Sequence, residues 1–192
     1  MDRGARFSRC AIEWNVPALS PLNARDTDCV GAAFAGTIRQ CDGLVKMQSF
    51  WTFSDVFEEG SPSRQPFDRS FGLIALGGIK KPSNSAFALL HKLGQVRLAA
   101  QPVNALATRR GYGSIVIAAC NLLDPDQKGS ARNVELEIRG VPSDSQVREI
   151  NRVAGTESSQ SLRLSKGIFT LLLPMNGLVL LEIPIAAGVV VN

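Results

Sequence analysis

The chain has 192 residues, of which 45% are hydrophobic and 20% are charged, and its formal net charge is +4 at pH 7. This length and apolar content allow one large domain or two small ones with a real core, and we do not expect a mainly disordered chain. The basic residues are scattered along the sequence rather than clustered, so we expect no nucleic-acid partner.

Cysteine usage and the lack of long apolar stretches limit the compartment and the cofactors. Cys10, Cys29, Cys41 and Cys120 have no CxxC spacing, and His91 is the single histidine. We therefore expect no Cys/His metal site, no cofactor and free, buried thiols. No stretch approaches the roughly eighteen apolar residues of a membrane span, and the N-terminus lacks the apolar core of a signal peptide. These features favour a cytoplasmic location without a membrane partner.

The first predicted elements are a short strand and a helix. Residues 9–13 form a brief apolar run that ends at Glu13, and a proline-containing loop follows. Apolar residues then recur at helical spacing over residues 30–41, which predicts an amphipathic helix with Asp26 or Thr27 as its N-cap.

A second strand and helix follow in the same order. Residues 44–53 are apolar on both sides, as in a parallel strand that is covered on two faces. The glycine- and proline-rich residues 54–82 predict a long, functional loop. A helix then begins near Pro82 and ends at Gly94, with His91 on its solvent side. Two strand–loop–helix units in succession indicate an α/β protein with parallel strands.

The pattern changes to short strands after about residue 103. Six segments alternate in hydrophobicity or form apolar runs between turn residues, at residues 103–108, 114–121, 133–139, 147–151, 168–173 and 178–183. Strands at this spacing predict a β-sandwich. The predicted fold is therefore an α/β part over residues 1–97 followed by an all-β part over residues 98–192.

Acidic and aromatic side chains occur together where the two parallel strands end. The candidate site residues are Glu13, Trp14, Trp51, Asp55, Glu58 and Glu59. An aromatic face can stack on a sugar ring while carboxylates accept hydrogen bonds from its hydroxyls, so a sugar site is one interpretation. The other is structural, because an aromatic cluster can form a core and a carboxylate at a strand end can cap a helix or pair with arginine.

Carboxylates at two neighbouring strand ends suit glycoside hydrolysis. Retaining glycosidases hold two carboxyl groups about 5–5.5 Å apart, of which one attacks the anomeric carbon and the other donates and then accepts a proton. Glu13 as the nucleophile and Glu58 or Glu59 as the acid/base fits this chemistry. In the alternative, Glu58 and Glu59 bind sugar hydroxyls and the acid comes from elsewhere.

Several strings resemble glycoside hydrolase family 39, the β-xylosidase and α-L-iduronidase family. Residues 12–15, Ile-Glu-Trp-Asn, followed by Leu19-Ser20-Pro21, are similar to its TEWN...SP nucleophile segment. Residues 49–59 resemble its SYWTFSDVFEE segment, and residues 71–94 resemble its FGL...GIKKP...AF..L..LG continuation. The resemblance covers residues 9–95, whereas the later strands match the family's accessory β-sandwich only in general pattern.

The resemblance implies a retaining mechanism with Glu13 as the nucleophile, at the end of the seventh strand of a (β/α)8 TIM barrel. Trp14 lies beside it, and Trp51, Asp55, Glu58 and Glu59 would line the sugar subsite from the eighth strand and its loop. The substrate would then be a β-xyloside or a related glycoside. This chain would contribute the last two strand–helix units of the barrel, followed by the β-sandwich.

The sequence departs from the family pattern at three places. Phe50 replaces a usual tyrosine, and residues 67–70, Phe-Asp-Arg-Ser, replace an FHGG string. The NEP motif that carries the family's acid/base glutamate is missing from this sequence, so we expect the chain alone to be inactive. Its α/β part would need a partner, either the other barrel strands or a second copy. The alternatives are a noncatalytic carbohydrate-binding or scaffold module and a decayed gene remnant.

Overall fold

The computed structural model describes residues 10–15, 24–56, 63–98, 105–111, 113–123, 129–153 and 156–185. Its first part begins with two parallel strands, β1 (Cys10–Trp14) and β2 (Met47–Phe50), which pair with each other. A 3-10 turn, Ala24–Asp26, and helix α1 (Cys29–Cys41) lie between them in the chain. Helix α2 (Pro82–Leu90) follows β2 and packs against α1. The strand and helix order predicted from the sequence is confirmed for these elements.

Short elements subdivide the predicted long loop between β2 and α2. Strands β3 (Ile74–Ala75) and β4 (Ile79–Lys80) form a small antiparallel pair around a 3-10 turn. The backbone of residues 52–55 exchanges hydrogen bonds with residues 71–74, since the Asp55 N–H donates to the Ile74 carbonyl at 2.8 Å and the Leu73 N–H to the Thr52 carbonyl at 3.1 Å. This stretch is therefore ordered against the end of β2.

The second part is a six-stranded antiparallel sheet with a two-stranded sheet packed on it. The eight strands of the two sheets are, in chain order, β5 (Val96–Arg97), β6 (Ala105–Arg110), β7 (Ser114–Cys120), β8 (Arg132–Glu137), β9 (Gln146–Val153), β10 (Thr156–Arg163), β11 (Ile168–Leu173) and β12 (Leu178–Pro184). The large sheet has the strand order β10-β9-β12-β7-β6-β5, and β8 pairs with β11 separately.

The central strands β7 and β12 of the large sheet are buried on both faces. On one face Val116, Ala118 and Leu180 join the core residues of α1 and α2. On the other face Ile117 and Leu181 pack against the buried residues of β8 and β11. This explains why β7 and β12 are continuous apolar runs, whereas β11 alternates buried and exposed residues. The helices, the large sheet and the small sheet thus form three layers.

Two sequence predictions about the helix ends are wrong. The N-cap of α1 is Asp28, whose backbone is already helical and whose side chain makes no capping bond, rather than Asp26 or Thr27. Helix α2 ends at Leu90 with His91 as its C-cap, three residues before Gly94. His91 is exposed, as predicted. Gly94 has another reason to be glycine, since a Cβ there would lie 2.1 Å from the Arg109 carbonyl oxygen.

The buried free thiols predicted from the sequence are found at one of the cysteines that the structure describes. Cys120 is buried, and this burial raises the pKa of its thiol above the usual value. Cys29 and Cys41 are free but only partly buried. The side chain of Cys10 lies outside the described part of the structure.

Candidate active site at the ends of the parallel strands

Glu13 lies next to the carboxyl end of β1, where the pairing with β2 is irregular. Ala11 pairs with Gln48 and Trp14 with Phe50, so three steps along β1 oppose two along β2. This is the pattern of a β-bulge, a feature that re-aims side chains and is frequent next to active sites. The Glu13 side chain is exposed. The structure thus places a solvent-accessible carboxylate at the shared end of two parallel strands.

Trp14 belongs to an aromatic cluster on the helix side of β1. Its ring makes edge contacts with Phe34, Phe50 and Phe87 at centroid distances of 5.1, 5.7 and 6.4 Å. The half-buried Trp14 also lines a cavity of about 570 Å³ whose wall is largely apolar. The ring therefore anchors β1 to the helices, and its role as a sugar-stacking surface stays a prediction.

Trp51 and Asn15 tie the two strand ends to the segment of residues 69–72. The Trp51 N–H donates to the Trp14 carbonyl at 3.1 Å. The Asn15 amide donates to the carbonyls of Trp51 and Phe71, the latter at 3.0 Å. The Trp51–Thr52 peptide bond is cis, and the Trp51 side chain is half-buried. Sequence reasoning did not single out Asn15, although a polar residue directly after the strand end was the available signal.

Asp55 lies in a buried ion network. Its side chain accepts a hydrogen bond from the Gly72 N–H at 2.7 Å and contacts the Lys81 ammonium at 3.2 Å. The same ammonium lies 2.6 Å from Asp26 Oδ1, and the side chains of Asp26, Asp55 and Lys81 are at most 3% exposed. The role of Asp55 as a sugar ligand stays a prediction. Lys81 could not be predicted as its partner from the sequence, because only the tertiary fold brings these charges together.

The remaining predicted site residues, Glu58 and Glu59, lie outside the described residues. Among the described residues, no group of three or more His, Cys, Asp or Glu side chains is placed to hold a metal ion. Nor does the described part of the chain contain a helix long and apolar enough to cross a bilayer. The described geometry therefore centres on Glu13, with Asn15 and Trp51 beside it.

Enzymes built from parallel strands covered by helices carry their catalytic side chains at the carboxyl ends of those strands, and the exposed Glu13 lies at such an end. The comparisons with known proteins identify the family. The model for glycosyl hydrolases family 39 matches residues 10–157. The chain belongs to this family, and the resemblance drawn from its motifs is confirmed.

Curated relatives and solved structures agree with this assignment. The chain is 36% identical to a β-xylosidase of Geobacillus stearothermophilus over 127 residues, which is 66% of this chain and 25% of that protein. It is 32% identical to a β-xylosidase of Caldicellulosiruptor saccharolyticus over 98 residues, 48% of this chain and 20% of that protein.

The fold is similar to that of a monomeric β-xylosidase from Caulobacter crescentus, with a TM-score of 0.74 at 22% identity over 95% of this chain and 46% of that one. It is also similar to a family 39 enzyme from Xanthomonas axonopodis pv. citri, with a TM-score of 0.70 at 20% identity over 91% of this chain and 44% of that one. The chain thus spans a quarter or less of these curated relatives and less than half of these solved chains.

Proposed function

We propose that this chain is the nucleophile-bearing part of a retaining, β-xylosidase-like glycoside hydrolase. The observation that carries the proposal is the exposed Glu13 carboxylate beside the bulged end of β1. Glu13 also lies within residues 10–157, which the family model matches. A carboxylate in this position can reach an anomeric carbon that approaches from the open end of the strands. β-Xylosides are the proposed substrates, because the two curated relatives described above are β-xylosidases.

The proposed reaction has two steps. Glu13 attacks the anomeric carbon and forms a glycosyl–enzyme ester while an acid protonates the departing glycosidic oxygen. The same acid, now a base, takes a proton from water, which attacks the anomeric carbon and releases Glu13. Trp51, Glu58 and Glu59 would contact the sugar, whereas the acid/base would come from another barrel strand.

We also propose that β1 and β2 are two strands of a (β/α)8 barrel. Eight parallel strands close such a barrel and two cannot. In support, four apolar side chains on and around β2 are 63–72% exposed: Leu44, Met47, Phe53 and Val56. An apolar surface of this kind on a soluble protein indicates a missing contact. The proposed partner is the set of remaining barrel strands, with a second copy of the chain as the alternative.

We further propose that residues 1–97 form a barrel portion and residues 98–192 an accessory β-sandwich. The packing of β8 and β11 on the large sheet supports a sandwich in the second part. Strand β5 ends at Arg97 and pairs with β6 of the large sheet. The last strand of the barrel portion is therefore hydrogen-bonded to the sandwich portion. The helices of the first part cover the other face of that sheet.

A chimera tests the proposed function. The 127-residue stretch of this chain that aligns with the Geobacillus stearothermophilus β-xylosidase would replace the corresponding stretch of that enzyme, and nitrophenol release from an aryl β-xyloside would be measured. We expect hydrolysis that Glu13→Gln lowers by about a thousandfold or more, because the covalent step is lost. The isolated chain should show negligible turnover, since general acid catalysis alone is worth about 10² to 10⁴ in rate.

Cooperative unfolding of the chimera serves as the control for folding. A chimera that unfolds cooperatively but hydrolyses no faster than its Glu13→Gln version would contradict the proposal. It would favour a noncatalytic carbohydrate-binding module, in which Glu13→Gln leaves glycan affinity nearly unchanged.

A further inference from the structure

Residues 69–72 are held from the side of the 3-10 turn that precedes α1. The Arg25 guanidinium lies 3.5 Å from the centroid of the Phe71 ring and donates to the Arg69 carbonyl at 3.0 Å. Asp26 Oδ2 accepts a hydrogen bond from the Arg69 N–H at 2.7 Å. This turn therefore fixes both the backbone and one ring of the segment.

Lys81 holds the same segment from the interior. Its ammonium donates to the Ser70 carbonyl at 2.7 Å and lies between the carboxylates of Asp26 and Asp55. Asp55 in turn accepts from the Gly72 N–H at 2.7 Å, and a Cβ on Gly72 would lie 2.5 Å from Asp55 Oδ1. One buried cation thus joins three separate stretches of chain: the turn before α1, the turn after β2 and the 69–72 segment.

The held segment supports the strand ends directly. The Phe71 carbonyl accepts hydrogen bonds from the Asn15 amide at 3.0 Å and from the Thr52 N–H at 3.4 Å. Asn15 is two residues beyond Glu13 and also donates to the Trp51 carbonyl. A shift of residues 69–72 would therefore withdraw an acceptor from the residue that links Glu13's strand to Trp51.

We propose that Lys81 is a positioning residue, which fixes residues 69–72 so that Asn15 holds the ends of β1 and β2 in register beside Glu13. This inference rests on the proposed function, because it concerns the geometry of that site. Apolar side chains in place of all three charged groups would fill the same volume without the cost of desolvating those charges. What the charges add is directional contact with Ser70, Asp26 and Asp55.

Amide hydrogen exchange on the full chain tests this role. The variant is Lys81→Met, and the matched control is Lys80→Met at the exposed neighbouring lysine. We expect Lys81→Met to accelerate exchange at Thr52, Gly72 and Leu73 by about tenfold to a hundredfold, through local opening. Exchange in β7 and β12 should stay unchanged, and Lys80→Met should alter neither region.

Equal acceleration in β7 and β12 would overturn the proposal, because Lys81 would then stabilise the whole fold rather than position one segment. Unchanged exchange at Thr52 would overturn it as well. If Lys81→Met does not fold, Asp26→Asn is measured in the same way, since it keeps an acceptor for Arg69 but removes a charge beside Lys81. No step of this test depends on hydrolysis, so failure here is distinct from failure of Glu13 as the nucleophile.

Discussion

At the scale of single residues, Arg69 stands in a conformation that favours glycine. Its φ is 61°, in the left-handed region that costs non-glycine residues roughly 1–2 kcal/mol. Its N–H and carbonyl are both engaged, by Asp26 and Arg25. These bonds hold the backbone in place despite the strain. Arg69 also falls within the string where the family pattern has FHGG, which ends in glycines.

Arg69→Gly should therefore stabilise the chain. Relief of the left-handed strain exceeds the extra flexibility of glycine in the unfolded state, so we expect a gain of about 0.5–1 kcal/mol in the free energy of unfolding. Urea denaturation measures this change. Arg69→Ala is the matched control and should change stability little, because alanine carries the same strain. A glycine variant no more stable than the alanine variant would contradict the account.

At the scale of elements, the segment after α2 is fastened to β6. The Gly94 N–H donates to Thr108 Oγ1 at 2.7 Å, and Thr108 Oγ1 donates to the Val116 carbonyl at 3.1 Å. The close approach of Gly94 to the Arg109 backbone leaves no room for a side chain. The helical layer is thus attached to the large sheet at a backbone-to-backbone contact.

Gly94→Ala tests that attachment. The added methyl group would overlap the Arg109 carbonyl, so the backbone must shift, and we expect a loss of about 2 kcal/mol or more in unfolding free energy. Gly113→Ala is the control, since no atom lies within 4 Å of its added Cβ, and it should cost less than about 0.5 kcal/mol. Thermal and urea unfolding of the two variants would show the difference, and equal costs would refute this role of Gly94.

Elements with a local apolar period could be predicted from the sequence. Helix α1 buries Val30 and Phe34 on the predicted stripe, and β11 alternates as a strand with one wet face does. Strand β10 was missed because Leu162 is its only apolar residue, and eight backbone pairs with β9 define it instead. The N-cap prediction at Asp26 also failed because of a contact that is distant in the sequence. The Asp26 carboxylate forms an ion pair with Lys81.

The site was predictable only in part. A short apolar run and a recognisable motif predicted Glu13 at a strand end. In the structure Glu13 lies near the end of β1 and its side chain is exposed. The network of Asp26, Asp55 and Lys81 was invisible in the sequence, because 26 residues separate the latter two and no local pattern relates them.

At the scale of the whole molecule, the central strands β7 and β12 of the large sheet are covered on both faces, whereas β2 of the parallel pair is partly exposed. Met47 is 64% exposed on β2, and Phe53, three residues beyond that strand, is 72% exposed. The chain covers 46% and 44% of the lengths of the two solved chains compared above. Under the proposed function, the remaining barrel strands cover this surface and bring the acid/base to Glu13.

Covalent trapping is the most direct test that Glu13 is the nucleophile. A 2-deoxy-2-fluoro-xyloside with a good leaving group would be incubated with the chimera, because fluorine slows hydrolysis of the glycosyl–enzyme more than its formation when the leaving group is activated. Peptide mass spectrometry should find the fluoroxylosyl group on Glu13, and Glu13→Gln should remain unlabelled. Labelling of another carboxylate, or an active chimera that stays active as Glu13→Gln, would contradict the account.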